Sequence, residues 1–230
     1  MSYLYRQASV AAFLAYRLLI KTLMKNLVRA ALILACLVAT PSISHASNII
    51  VNGGFETPDC GIAATCSNGT WGLFGSILGW TSSGFPIEIG EVGNYGISGQ
   101  EGDQVLELDS TGNATVEQVV AGSGTFTLSF LYADRFGGEQ DSFDILWNGI
   151  VIDSILAPLN GGLGAMQLYT TMVVAGAGPN TLAFRGTGTS DSFGALIDDV
   201  KLESVPDGGV TALLLGMGLV ALRRVRRIVP

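Results

Sequence analysis

The chain has 230 residues, 48% of them hydrophobic and 13% charged, with 31 glycines and a formal charge of −7. The charge is unevenly placed, for between Ser47 and Val205 stand 18 acids against only Arg135, Arg185 and Lys201, a formal charge of −15. A surface this acidic excludes nucleic acid as a partner, because neutralising phosphates requires clustered Lys and Arg, and it favours divalent cations.

At the amino end, Met24-Lys25-Asn26-Leu27-Val28-Arg29 makes a basic n-region, Ala30 to Thr40 an apolar h-region, and Ser44-His45-Ala46 the small-residue pattern that precedes cleavage. Residues 1–46 are therefore expected to be a signal sequence, removed by signal peptidase after Ala46, with Met24 as the true start and 1–23 an upstream extension. A permanent anchor is the weaker alternative, because the h-region is short for about 30 Å of hydrocarbon. Ile33-Leu34-Ala35-Cys36 is a poor lipoprotein box, with Leu34 where a small residue is usual.

Residues 47–205 are long enough for one domain with its own core. Apolar residues alternate with period two rather than recurring at helical spacing. Phe126, Leu128, Phe130 and Tyr132 share one face of a strand, and Phe143, Ile145 and Trp147 share one face of another. Asn148-Gly149 supplies the pair of positive-φ residues that a two-residue hairpin needs before Ile150-Val151-Ile152. Further strands are expected at 48–52, 87–91, 104–109, 115–120, 166–174, 180–185 and 194–203. Eight to ten short strands joined by Gly-rich turns predict an all-β sandwich.

Cys36 leaves with the signal, so Cys60 and Cys66 remain, and in an oxidising compartment they are expected to form one structural disulfide. The only histidine, His45, lies in the signal. Ser-His-Asp, Cys-His and His-metal chemistry are thereby excluded from the mature domain, leaving carboxylate pairs as the one catalytic option. Asp134, Glu139, Asp141 and Asp144 flank a Gly-Gly loop and are read as solvated, with cation binding as the alternative. If the domain binds a sugar, it needs an aromatic platform and polar groups beside it. Trp80, Tyr132 and Trp147 are better placed as core. Trp71 and Tyr95, in expected loops, are the candidates for exposure, and Arg135, directly after a strand, is the polar candidate.

Beyond Val205, Val205-Pro206-Asp207-Gly208-Gly209 is followed by an apolar run from Val210 to Leu222 and then by Arg223, Arg224, Arg226 and Arg227. This tail, residues 205–230, resembles the PEP-CTERM sorting domains in a Val-Pro-Asp variant. The resemblance implies cleavage by an exosortase, a membrane peptidase of bacteria that make exopolysaccharide. Thirteen residues rise about 20 Å as a helix, short of the bilayer core unless arginines snorkel, so a transient inner-membrane helix is expected, with the arginines inside.

The domain carries a second resemblance. Asn52-Gly53-Gly54-Phe55-Glu56, Gly79-Trp80, the run Gly102 to Leu108, Phe126 to Tyr132 and the closing Ile197-Asp198-Asp199-Val200-Lys201-Leu202 resemble, in order and spacing, the galactose-binding-like jelly rolls, which include many carbohydrate-binding modules. In such modules a structural calcium often lies where the first and last strands meet. Glu56 and Asp198 are the matching carboxylates, with loop carbonyls around Gly53 or Thr57 to complete the shell. Asp198 is expected to share the inward face of Val200 and Leu202, and backbone amides or Arg185 are its alternative partners.

Three functions are then open. The first is a non-catalytic protein of the cell envelope or extracellular matrix that binds exopolysaccharide or another glycan. The second is a purely structural biofilm protein, and the third a carboxylate-dependent glycan-active enzyme. On the sorting reading, protein purified from its native host begins near Ser47 and ends near Asp207. Intact-mass measurement checks this, and an uncut tail would contradict it.

Overall fold

The structure, a computed structural model, describes residues 16–27, 47–62, 66, 69–135, 137, 139–158, 164–205 and 218. Most of the signal sequence and, residue 218 aside, the sorting tail after Val205 lie outside the described residues. The chain divides into two compact units, 1–44 with 207–230, and 45–206. In the first unit residues 16–27 form a helix with exposed side chains. No helix among the described residues is long and apolar enough to cross a membrane.

The second unit is a jelly-roll β-sandwich. Its strands are β1 (Trp71–Phe74), β2 (Ser76–Ile77), β3 (Trp80–Ser83), β4 (Ile87–Glu91), β5 (Ile97–Ser98), β6 (Gln104–Glu107), β7 (Thr115–Ala121), β8 (Gly124–Ala133), β9 (Ser142–Trp147), β10 (Ile150–Leu156), β11 (Gly164–Ala165), β12 (Gln167–Ala175), β13 (Pro179–Gly186) and β14 (Leu196–Ser204). One sheet runs β1-β4-β6-β14-β8-β12 and the other β10-β9-β13-β7-β3-β2, with all pairs in both antiparallel. The parallel pair β11-β5 stands apart.

Alternation on the long strands builds the core between the sheets. Phe126, Leu128 and Phe130 of β8 meet Phe143 and Ile145 of β9 and Phe184 of β13. The Phe130 ring lies 4.9 Å edge-on from Phe184 and 4.8 Å from the stacked Tyr169 ring. Burying each such side chain contributes about 1.5–3 kcal/mol. Trp80 is fully buried against Phe55 and Phe184, and its indole N–H donates to the Asn52 carbonyl at 3.1 Å. The hairpin at Asn148-Gly149 forms as expected, with φ of 53° and 77°. Its far strand β10 and the edge strand β12 expose Ile150, Leu156, Leu168, Met172 and Val174.

Two sequence expectations are corrected. Residues 48–52 form no strand, only a bridge from Asn48 to Glu203. Side chains replace the ladder: Asn48 Oδ1 accepts the Ile50 and Leu202 amides, while Gln118 accepts from the Val51 amide at 2.8 Å and donates to its carbonyl at 2.9 Å. Positive φ at Asn52 and Phe55 then turns the chain away. The second correction concerns β14, which slips register between Asp198 and Lys201, with Asp199 at φ 49°. One extra residue in a strand reverses the facing of everything beyond it. Asp198 lies opposite Leu131 on the outer face, whereas Val200 and Leu202 enter the core. Asp198 is fully buried all the same, for a reason given below.

Candidate functional site

The outer face of the first sheet is not bare. A 3₁₀ turn at Val92–Asn94 and β5 fold back over it, and Tyr95, Ile97 and Met166 pack on Val105, Ala133 and Leu196 to make a second, smaller core. Under this cover lies a row of facing residues: Glu88 of β4 pairs with Glu107 of β6, which pairs with Leu196 of β14. Opposite partners on adjacent strands project to the same face, so two carboxylates stand side by side in an apolar setting.

Arg135 closes this row. Its Nη1 donates to both Glu107 oxygens, at 2.6 and 2.8 Å, and to the Ser192 carbonyl at 2.9 Å, and lies 3.8 Å from Glu88. The guanidinium is held between the Tyr95 and Phe193 rings, 5.0 and 4.5 Å from their centroids, a cation–π sandwich. The Gly194 amide donates to Glu107 at 2.7 Å and the Tyr95 hydroxyl to Glu88 at 3.2 Å. Burial pushes Glu107 up to about 9, helped by its neighbour Glu88, with Arg135 opposing. Burial also raises Glu88. One guanidinium facing two buried carboxylates is neutralised when the pair keeps a single proton.

Trp71 joins this cluster from β1. It pairs with Gly90, where an added Cβ would fall 2.5 Å from the Trp71 Cβ and 2.6 Å from the Tyr95 hydroxyl. Glycine is required there because any side chain would collide with both residues. The structure thus gathers Trp71, Tyr95 and Arg135 on one face. Tyr95, expected to be exposed in a loop, is instead 1% exposed and forms the floor, because its ring covers the carboxylate pair. Trp71 lies in a strand and, like Arg135, is partly exposed.

Glu56 and Asp198 lie at another place, where each grips a different part of the segment that leads into β6. Glu56 Oε1 accepts the Asp103 and Gln104 amides at 2.8 and 3.0 Å, and Asp198 Oδ2 accepts the Glu101 amide at 2.6 Å while Oδ1 accepts that of Asp199, also at 2.6 Å. That segment, with Gly54 above it, is what buries Asp198 on the outer face. Burial pushes Asp198 up to about 8 and, with smaller effect, Glu101 and Asp199 add to the shift. The backbone-amide alternative is therefore present, while Arg185 pairs with Asp144 instead. The Gly53 and Thr57 carbonyls accept from the Val200 amide and the Asn52 side chain. All nearby donors are oxygens, a set suited to calcium, although among the described residues no three acidic, His or Cys side chains already form a metal cage.

Cys60 and Cys66 form a disulfide. Gln104, buried beneath it, accepts the Cys60 amide at 2.5 Å and donates to the Phe55 and Pro58 carbonyls. Beside this loop Glu56, Asp59, Glu91 and Asp103 line an open cleft of about 480 Å³. The loop acids read as solvated are not so: Asp134, Asp141 and Asp144 are buried, and only Glu139 is exposed. A Ser154 hydroxyl bond at 2.6 Å, then the Arg185 pair, hold Asp144 below the usual carboxylate range. Nothing in the sequence marked the Glu88–Glu107 pair, since both alternate with apolar neighbours as solvent-facing residues do.

No protein-family model matches the chain. Two curated proteins are similar, both named multifunctional-autoprocessing repeats-in-toxin, one from Vibrio vulnificus at 32% identity over 167 residues and one from Vibrio cholerae at 31% over 166. Each match takes 70% of this chain but only 3% of the relative, so the chain spans a small part of those proteins. Among solved structures, a CBM35 from Paenibacillus barcinonensis shares 20% identity over 60% of this chain and 100% of its own, with a TM-score of 0.39. The Stig cyclase Fisc from Fischerella sp. TAU shares 17% over 70% and 99%, with a TM-score of 0.47. The fold assignment rests on the strand topology.

Arg135→Met should destabilise the full chain by about 3–5 kcal/mol at pH 7, because it leaves a buried carboxylate unpaired. The loss should shrink toward pH 5, where Glu88, itself raised by burial, can take up the pair's second proton. Glu88→Gln, which leaves a single carboxylate for the one guanidinium, should stay within about 1 kcal/mol of wild type. Urea unfolding at both pH values checks all three. The raised Glu107 and Asp198 groups bind protons more tightly folded than unfolded, so their contribution falls as pH rises from about 4 through about 8 to 9.

Proposed function

We propose that residues 47–205 form a non-catalytic, glycan-binding module of an exported protein, bound for the cell envelope or the extracellular matrix. The observation that carries this reading is the convergence of the partly exposed Trp71 and Arg135 on the buried Tyr95. An aromatic surface beside a fixed guanidinium matches the apolar face and hydroxyl rim of a pyranose. The glycan-active alternative is weakened because the close carboxylate pair, Glu88 and Glu107, lies buried beneath Tyr95 and Arg135, where no substrate reaches it.

Export and sorting belong to the same proposal: removal of the signal by signal peptidase, and processing of the tail by an exosortase through Val205 to Gly209 and the four terminal arginines. Their support is the sequence resemblance. Calcium at Glu56 and Asp198 is a further part of it, supported by the all-oxygen surroundings and by the concentration of acids at that junction.

Trp71→Ala should abolish retention on exopolysaccharide from the native host while the melting temperature falls by only a few degrees. Affinity electrophoresis with and without the polysaccharide reads the first, a thermal melt the second. Unchanged retention would remove the platform. For calcium, about 100-fold excess over Kd should stabilise the chelator-treated chain by roughly 2.7 kcal/mol, and Asp198→Asn should reduce that gain. An equal gain in both would place the ion elsewhere.

A further inference from the structure

At the pole of the sandwich where the connection from β8 to β9 meets the connection from β13 to β14, Asp141 is 2% exposed and its Oδ2 has no hydrogen-bond partner. No other buried side-chain polar atom among the described residues is left so. An orphaned carboxylate oxygen out of water is strongly unfavourable unless a partner arrives. Its surroundings offer no positive charge. Asp134, also buried, accepts the Asp141 amide at 3.0 Å, and Asp191, Asp109 and Glu139 add to the repulsion around it.

The three cations of the domain are engaged elsewhere: Arg135 with Glu107, Arg185 with Asp144, and Lys201 with Asp199. Asp109 is satisfied by the Asp191 and Ser192 amides, at 2.7 and 2.9 Å, and by the Ser190 hydroxyl. The backbone is shaped around Asp141, for an added Cβ at Gly188 would fall 2.1 Å from its Oδ1. A proton would remove the charge on Asp141 without giving Oδ2 a hydrogen-bond partner.

We infer that this pole is a divalent-cation site, distinct from the Glu56 and Asp198 junction, with Asp141 and Asp134 as its two carboxylate ligands and backbone or water oxygens to complete the shell. Its oxygen-only donors select a hard ion, and an irregular loop setting suits calcium, which tolerates variable geometry, better than magnesium. Binding relieves the repulsion between Asp141 and Asp134, to which Asp191, Asp109 and Glu139 add.

The test is calorimetric titration of the chelator-treated full chain with calcium chloride alone, in wild type, Asp141→Asn, Asp134→Asn and Asp198→Asn. Asp141→Asn should lose one bound calcium or bind it at least about tenfold more weakly, the scale seen when even supporting groups of a metal site are removed. Asp134→Asn should do the same, whereas Asp198→Asn should keep this event. In chelator, Asp141→Asn should melt at or above wild type, since it removes repulsion, and in calcium its upward shift should be smaller. Calcium stoichiometry and affinity unchanged in Asp141→Asn would overturn the proposal, as would an equal drop in its melting temperature with and without calcium. Loss of all binding in Asp198→Asn alone would also overturn it. Should Asp198→Asn bind like wild type while Asp141→Asn does not, this site stands and the junction site falls.

Discussion

Three cations serve 18 acids between Ser47 and Val205, and that shortage shapes the interior. Each cation has one partner region: Arg135 holds the Glu88–Glu107 pair, Arg185 holds Asp144, and Lys201 holds Asp199. The other buried acids must be satisfied in different ways. Asp109 and Asp198 take backbone amides, as does Glu56 on the partly exposed opening loop, while Glu88 and Glu107, two carboxylates on one guanidinium, divide a proton as well. These solutions dictate loop conformation, because amides aimed at a carboxylate fix the chain that carries them. The 101–104 segment is held in this way from both sides, by Glu56 and by Asp198.

Arg135 also shows how a structural role and a surface role coincide in one side chain. Its guanidinium neutralises a buried pair on one side and is clamped between two rings on the other. A donor fixed in this manner loses little side-chain freedom on meeting a ligand. The same rigidity explains why Tyr95 is buried, since the ring that supports the guanidinium must also exclude water from the carboxylates.

Where a strand runs unbroken with one face in the core, its sequence is legible. The alternation on β8 and β9, the Asn148-Gly149 turn and the span of β13 all follow from period two. Two kinds of feature escape such reasoning. A bulge such as that at Asp199 has no signature beyond a local positive φ, yet it separates Asp198 from the face of Val200. A cover over the outer sheet face is equally silent, because Glu88 and Glu107 occupy positions that solvent would normally fill. Of the candidate residues, Trp71, Tyr95 and Arg135 proved to be neighbours through Gly90 and the Tyr95 ring, a convergence that depends on the 3₁₀ turn and not on any spacing. The short strands β1 and β3 went unread for a related reason, as four residues carry too little periodicity to register.

The bridge between Asn48 and Glu203 places the entrance and exit of the domain side by side. In an antiparallel pair whose free ends leave in the same direction, tension applied to both ends opens the hydrogen bonds one after another, as a zip opens, instead of loading them all in shear. The Ile49 amide to Leu202 carbonyl bond and the Asn48 side-chain bonds would be the first to part. Tension applied through both ends of the domain would therefore reach these few bonds before the sheets behind them. A domain tethered by its C-terminal end alone carries no such load.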